Sequence, residues 1–431
     1  MAREMKDSGI SWIGQIPADW SIVKIKAGVH KVGSGKTPSG GATTYADEGI
    51  LFLRSQNVYD TGLELSNPTY ITPAVDEEMK GTRVFPNDVL LNITGGSIGR
   101  CCIFPESLKT ANVNQHVSII RVNQDVFLPE YMHYYWVSPL GSLAIDLYQT
   151  GGNREGMSAD AIKNTPIILI PLDEQRRICR VLDDECSKID SVLAKIRTSL
   201  EEYKKLKQAI ITQAVTKGIR GDRPMKESGS IWFGLIPADW KMHRTKKLVT
   251  IEKRIIGVEG VAVLSITQKG IRPKDLSKNE GQFAESYANY QIVHGGDFAM
   301  NNMDLLTGWV DISQFEGVTS PDYRVFTMSG NSVNKRYYLY LFQMCYSNRV
   351  YYGLGQGVSG LGRWRLPAKQ FLDFLITVPP IEEQNEIVDY LDNQCAEINA
   401  LIQKKEQFLA ELETYKKSHI YEYVTGKKEV V

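Results

Sequence analysis

Along two stretches of the chain apolar residues recur at alternating steps of four and three, which keeps them on one stripe of a helix and, sustained, builds a coiled-coil seam. The first stripe runs through Leu182, Cys186, Ile189, Leu193, Ile196, Leu200, Tyr203 and Ile210, with one step missed; the second runs through Leu391, Cys395, Ile398, Ile402, Leu409 and Leu412. Each stretch opens on a proline and an acidic pair, Asp173-Glu174 and Glu382-Glu383. Those residues suit a helix N-terminus, where φ is preset and the dipole favours negative charge. The pattern predicts helices over 172–215 and 381–424, 44 residues each, the first closing near Gly218. Lys405 and His419 interrupt the second stripe and are expected to mark where the coil loosens. The cysteines and isoleucines of the stripes read as packing groups. Such a seam can pair within the chain or with another protein, and the equal lengths favour an internal antiparallel pair.

Outside these stretches the pattern changes to short apolar runs between glycine-rich turns, the mark of mixed α/β domains. Ile50–Leu53 and Val261–Leu264 read as buried strands, and Asp88–Asn92 has a counterpart in Asp297–Asn301. The correspondence reflects a duplication. Lys6 to Trp20 reads KDSGISWIGQIPADW and Lys226 to Trp240 reads KESGSIWFGLIPADW, identical at ten of fifteen positions. A second echo, PLDEQRRICRVLDDECSKIDSVL from Pro171 and PIEEQNEIVDYLDNQCAEINALI from Pro380, places one helix after each domain. The repeat unit is therefore domain plus helix. The expected division is 1–165 and 226–378 for the domains, with 166–225 and 379–431 for the helical segments. Between the shared anchors the copies diverge: GSGKTPSGG at 33–41 has no counterpart. One scaffold with two loop sets is what two different recognition tasks require.

Charge adds one point. The net is zero, so overall balance gives no support for a nucleic-acid partner. By segment it is −3, +3, +5 and −5, and the opposite signs of the two helical segments favour their pairing. No apolar run reaches the roughly 20 residues of a membrane span and the N-terminus lacks an apolar signal core, so a cytoplasmic protein without membrane contact is expected. The six cysteines, two of them adjacent at Cys101-Cys102, show no metal-ligand spacing; they read as reduced thiols, and no metal site is expected.

Several enzyme motifs fail on inspection. Gly33–Thr37 resembles a phosphate loop, but His30 stands where a Walker A sequence needs glycine. Ser320-Pro321-Asp322-Tyr323 resembles the Asn/Asp-Pro-Pro-Tyr/Phe signature of amino-methyltransferases without its second proline. YYGLG from Tyr351 mimics their cofactor loop in the wrong order, with no ribose-binding acid after it. No Ser/His/Asp set stands out. Polar loops carry the better signal. Each domain ends in a glycine-rich basic segment, TGGNREGMS from Thr150 and GVSGLGRWR from Gly357. There glycines let backbone approach a phosphate, and Gly152, Asn153, Arg154, Arg363 and Arg365 could meet phosphates or base edges. Further candidates are Lys36, Thr37, Arg54, Gln56, Asn57, Asn112, Asn114 and Gln115 in the first domain, and Lys253, Arg254, Tyr323 and Arg324 in the second. Singly each reads as a solvated loop residue; as a set they lean towards nucleic acid. Trp364 and Tyr323 could stack on bases, although core packing is the commoner fate of aromatics.

Over essentially its whole length the chain resembles the specificity subunits of type I restriction-modification enzymes. The resemblance rests on SGISWIGQIPADW and SGSIWFGLIPADW, on GKTPS, on TGGNREGMS leading into IPLDEQRRI, and on the echo VPPIEEQNEI. It implies an α+β fold with two mixed α/β target-recognition domains separated by two long antiparallel coiled-coil helices, an internal pseudo-twofold repeat. It further implies a non-catalytic DNA-binding subunit of a bacterial or archaeal complex, each domain reading one half of a split, asymmetric double-stranded target. Two modification subunits would dock on it and methylate adenine N6 with S-adenosylmethionine; restriction subunits would translocate and cleave DNA using ATP and magnesium. None of these cofactors would be held by this chain. Two other readings stay open on the residues alone: a coiled-coil scaffold that binds only protein, and a fused methyltransferase with a degenerate motif.

Overall fold

The computed structural model describes residues 3–149, 156–258, 260–275, 286–330, 332–357 and 364–430. Two compact units emerge: the first joins two separate pieces of chain, Met1–Arg197 and Gln407–Val431, and the second is the continuous stretch Thr198–Glu406 between them in sequence. Each globular domain thus packs on the start of one long helix and the end of the other.

The long helices are Leu172–Lys217, of 46 residues, and Ile381–Val424, of 44. Both close on a glycine in the left-handed region, Gly218 at φ 75° and Gly426 at φ 68°. Space demands glycine there too. A Cβ at Gly218 would come within 2.7 Å of the Glu383 carboxylate, and one at Gly426 within 2.4 Å of the Pro17 ring.

The two stripes form the expected internal antiparallel seam. Leu182, Cys186, Leu193, Ile196, Leu200, Leu391, Cys395 and Ile398 are buried, while Ile189, Tyr203, Ile402, Leu409 and Leu412 are half-buried. In the first unit Asp190 meets Lys416 at 2.7 Å and Arg197 meets Glu413 at 2.5 Å. In the second, Lys207 meets Asn399 and Arg220 meets Glu386, each at 2.8 Å. Residue numbers rise on one helix as they fall on the other, and the opposite charges pair. Lys405 and His419 do not loosen the coil. The Lys405 ammonium lies 5.6 Å from the Tyr203 ring centroid. His419 is buried between Tyr415 and Tyr423 and bonds Glu185 of the facing helix. Both polar residues are seam partners.

Each domain carries the same four-stranded antiparallel sheet. In the first its order is Cys101–Ile103, Val89–Asn92, Val117–Val122, Val29–Ser34; in the second it is Val310–Ile312, Phe298–Met300, Arg324–Met328, Val249–Glu252. The paired runs Asp88–Asn92 and Asp297–Asn301 supply the second strand of each. Ile50–Leu53 forms its strand, parallel to Ala111–Val113. The second copy departs from expectation: its strand is Leu264–Thr267, because a two-residue turn at Gln268-Lys269 pairs it with Gly270–Pro273. Among the described residues a parallel bridge from Val263 to Val318 matches the parallel pairing of the first copy.

The repeated motifs meet at the joint between domain and helix. Trp20 Nε1 donates to Glu174 at 3.0 Å and Trp240 Nε1 donates to Glu383 at 2.9 Å. Each glutamate also holds an arginine at 2.6 Å, Arg3 and Arg223, which lies against the same indole. The next residue is a fully buried glutamine. Gln175 accepts from Leu128 N and donates to the carbonyls of Val126 and Ile170. Gln384 does the same with Asn334 N and the carbonyls of Ser332 and Pro379. Satisfying three buried backbone groups with one amide explains why Glu-Gln recurs at each helix start.

A half-buried histidine whose Nδ1 is shut off from water gives the first domain a pH dependence. Burial lowers the pKa of His133 from 6.5 to about 4, with the Lys416 charge acting in the same sense, and its Nδ1 is sealed without a partner. The unfolded chain therefore takes up a proton near pH 6.5 that the folded one refuses until about pH 4. Stability is full above that window and falls through it, by up to about 3 kcal/mol at its lower end. Urea denaturation of the wild type and of His133→Phe across this range should show the variant losing less stability on acidification. Parallel losses would mean that His133 titrates alike in both states.

Candidate nucleic-acid interface

In the first domain three distant segments converge on one rim. The GSGKTP loop crosses the turn after Ala111–Val113, with Gly35 N donating to Val117 O at 2.9 Å and Lys36 N to Val113 O at 3.1 Å. A Cβ on Gly35 would lie 2.0 Å from Val113 O, so the glycine serves a backbone crossing. The crossing brings Thr37 onto Gln115, whose amide also meets the His116 ring at 3.2 Å. On its other side His116 Nδ1 lies 2.6 Å from the Thr94 hydroxyl. Thr94 forms an antiparallel bridge with Gly156, in the glycine-rich stretch TGGNREGMS. Lys36, Thr37 and Gln115 are exposed and Asn114 half-exposed, and Lys36 forms no ion pair among the described residues.

The second domain has an equivalent rim of different chemistry. The segment ending GRWR returns through Arg365, paired with Gln356 by backbone bonds of 2.9 and 3.1 Å, and Leu366 N reaches Asn302 O at 2.9 Å. The Arg365 side chain is exposed. Trp364 instead packs inward, its indole N–H on Tyr352 O at 2.8 Å. Between the Leu264–Thr267 strand, the Asn301–Asp304 segment and the Ser320–Tyr323 turn lies a cleft of about 840 Å³, which half-buried Tyr323 lines. The methyltransferase-like SPDY sequence is that turn, and YYGLG ends the short helix Val350–Gly353, where Cβ atoms on Gly353 and Gly355 would strike Trp232 and Trp364.

Other sequence candidates are structural. Asn112 is fully buried and donates to Asp76 at 2.7 Å; Asn57 is buried and caps its own turn through Arg54 N and Glu64 O. Arg324 is buried, donates to Leu366 O at 2.9 Å and lies over the Phe371 ring, and burial lowers its pKa below the usual arginine value. These three cannot face DNA as they stand, because strand register turns Asn112 and Arg324 inward and Asn57 closes the 3-10 turn Ser55–Asn57. Arg54 is spent on Thr69, and Arg254 on Asp297 and Glu252; the Asp297 bond raises the Arg254 pKa. Gln56 and Lys253 are exposed, away from these bonds. Gly152, Asn153, Arg154 and Arg363 lie outside the described residues. Thr94 and His116 join the first rim without having been singled out by sequence: a lone Thr and a lone His carry no periodic signal, and only the fold brings them together. Among the described residues no cluster of metal-ligating side chains occurs and no helix is long and apolar enough to cross a membrane.

Comparison with known proteins agrees with this architecture. The family model described as type I restriction modification DNA specificity domain matches twice, at residues 17–202 and 239–411. The putative type I restriction enzyme MjaX specificity subunit of Methanocaldococcus jannaschii is 22% identical over 429 residues, spanning 96% of this chain and 95% of that protein. The MjaVIII specificity subunit of the same organism is 22% identical over 428 residues, 96% and 94% of the two chains. Among solved structures, a chain described in connection with complex assembly and conformational transition of the type I R-M system superposes with a TM-score of 0.67 at 15% identity, covering 96% of this chain and 99% of that one. Two family matches over most of the length, on two domains with one sheet order and one helix joint, have a single consequence: the chain belongs to the type I restriction modification DNA specificity domain family, and carries that domain twice.

Proposed function

We propose that this chain is the sequence-reading, non-catalytic subunit of a type I restriction-modification complex, in which each globular domain reads one half of a split, asymmetric DNA target. The observation that carries the reading is the repetition itself: one sheet order and one helix joint occur twice, while the side chains along the two rims differ. The long helices, about 69 and 66 Å at the helical rise of about 1.5 Å per residue, set the gap between half-sites and dock two modification subunits. S-adenosylmethionine belongs in this reading to those partners, and ATP with magnesium to restriction subunits; none is assigned to this chain.

Duplex DNA binding as a function of salt tests the reading. Lys36→Ala and Arg365→Ala should each weaken binding to all sequences about equally and reduce the slope of log affinity against log salt by about one, the signature of a lost phosphate contact. Arg154→Ala and Arg363→Ala should weaken binding too, uniformly or at one base position. Arg324→Ala should leave the slope unchanged and instead destabilise the second unit by about 2 to 4 kcal/mol through lost packing. The zero net charge favours a rival, a scaffold that binds only protein. Affinity for DNA that does not depend on salt, or no affinity, would select it.

A further inference from the structure

In both domains a tight turn leads into the third strand of the four-stranded sheet. In the first, Ala111–Val113 is followed by a turn in which Val117 N donates to Asn114 O at 3.2 Å; in the second, Gly317–Thr319 is followed by one in which Tyr323 N donates to Ser320 O at 3.1 Å. Both backbones are held from behind. Asn114 N reaches Leu53 O at 2.9 Å and Ile93 N reaches His116 O at 3.0 Å. The single amide of Gln291 donates to the carbonyls of Ser320, Pro321 and Tyr323 at 3.0, 3.0 and 2.7 Å. A fixed backbone leaves the tip side chains as the variable, which is what a reader of fixed geometry needs.

The tips differ in kind. The first presents the exposed Gln115, whose amide offers both a donor and an acceptor and meets, among the described residues, its rim neighbours Thr37 and His116. The second presents Asp322, exposed at the edge of the 840 Å³ cleft, its carboxylate in no ion pair among the described residues. A carboxylate brought against DNA is repelled by phosphates. It favours a complex only where it accepts a hydrogen bond from an exocyclic amino group, best met by cytosine N4. A glutamine amide instead matches the N6 and N7 pair of adenine.

We propose that Gln115 and Asp322, the exposed polar side chains at adjacent positions of the two corresponding turns, are specificity-determining side chains of the two domains, Gln115 selecting an adenine in one half-site and Asp322 a cytosine in the other. This assignment rests on the proposed reading of split targets. Its test uses the full chain with its modification partners, mapping methylated adenines across a host genome for the wild type, Gln115→Ala and Asp322→Asn. Both residues are exposed, so thermal midpoints should match the wild type. Asp322→Asn should lower the preference for cytosine at one position by at least about fivefold, the low end of what a good base contact discriminates, with the other half-site intact. Gln115→Ala should do so at one adenine of the other half. Unchanged base preferences in both variants, or a change in both halves from one substitution, would overturn the assignment. A wild-type complex that selects no two-part sequence would overturn the functional reading and this inference with it.

Discussion

Adding four residues to each long helix, between Tyr203 and Lys204 and between Lys404 and Lys405, should widen the gap between half-sites by one or two base pairs and leave both half-site sequences unchanged. The positions follow from the seam: Tyr203 and Lys405 face one another, so paired insertions lengthen both strands of the coil at one level and preserve the pairs on either side. Four helical residues advance the rod by about 6 Å and turn it by about 40° past a full revolution. One to two base pairs advance the duplex by about 3 to 7 Å and, at about 10 per turn, rotate it by about 35 to 70°. Translation and rotation therefore match together, which an arbitrary insertion would not achieve. An insertion at the end of the first helix, after Thr216, is a poor substitute. There Val215 O accepts from Tyr337 and Thr377, and Gly218 sits against Glu383 and Trp240, so the joint itself would break. Full activity of the paired insertion with an unchanged gap would show that the helices do not measure the distance.

The elements legible in the sequence were those with a period or a duplicate. Two 44-residue stripes gave the long helices to within two residues, since a seam buried every 3.5 residues admits few alternatives. The twin motifs gave the repeat, although the reason for Trp20 and Glu174, separated by most of a domain, appears only when the indole is seen on the carboxylate. Polar positions were less legible. Asn112 and Arg324 look like Gln115 and Lys36 in a list of loop residues, yet strand register turns the first two into the core and leaves the others outside. A shift of one residue would reverse that, and register follows from the apolar pattern of the paired strands and their turns, not from the identity of the polar residue itself. Lys405 and His419 failed for a related reason: a polar residue at a seam position is a fault only if its partner is apolar, and here the partners are Tyr203 and Glu185. The rim with Thr94, His116 and Gln115 was invisible in part because its members come from segments far apart in sequence.

Independence of the two readers is the central claim, and the exchange of one of them measures it. Residues 25–165 form a natural cassette: Ser21–Lys24 pairs with Pro166–Leu169, and Ile25 N meets Thr165 O at 3.0 Å, so the chain leaves and re-enters the scaffold at one point. Trp20, Glu174 and Gln175 stay behind, and so does the joint, although Leu128 N and Val126 O, which Gln175 binds, must be supplied by the incoming domain. The cassette should be replaced by its equivalent from a relative of different specificity, the hybrid assembled with the same modification subunits, and its methylated adenines mapped beside those of the parent. The account predicts that one half of the target changes completely to the donor's sequence, while the other half is untouched and the gap keeps its length or shifts only slightly. A hybrid that methylates efficiently with both halves altered, or with neither, would contradict it.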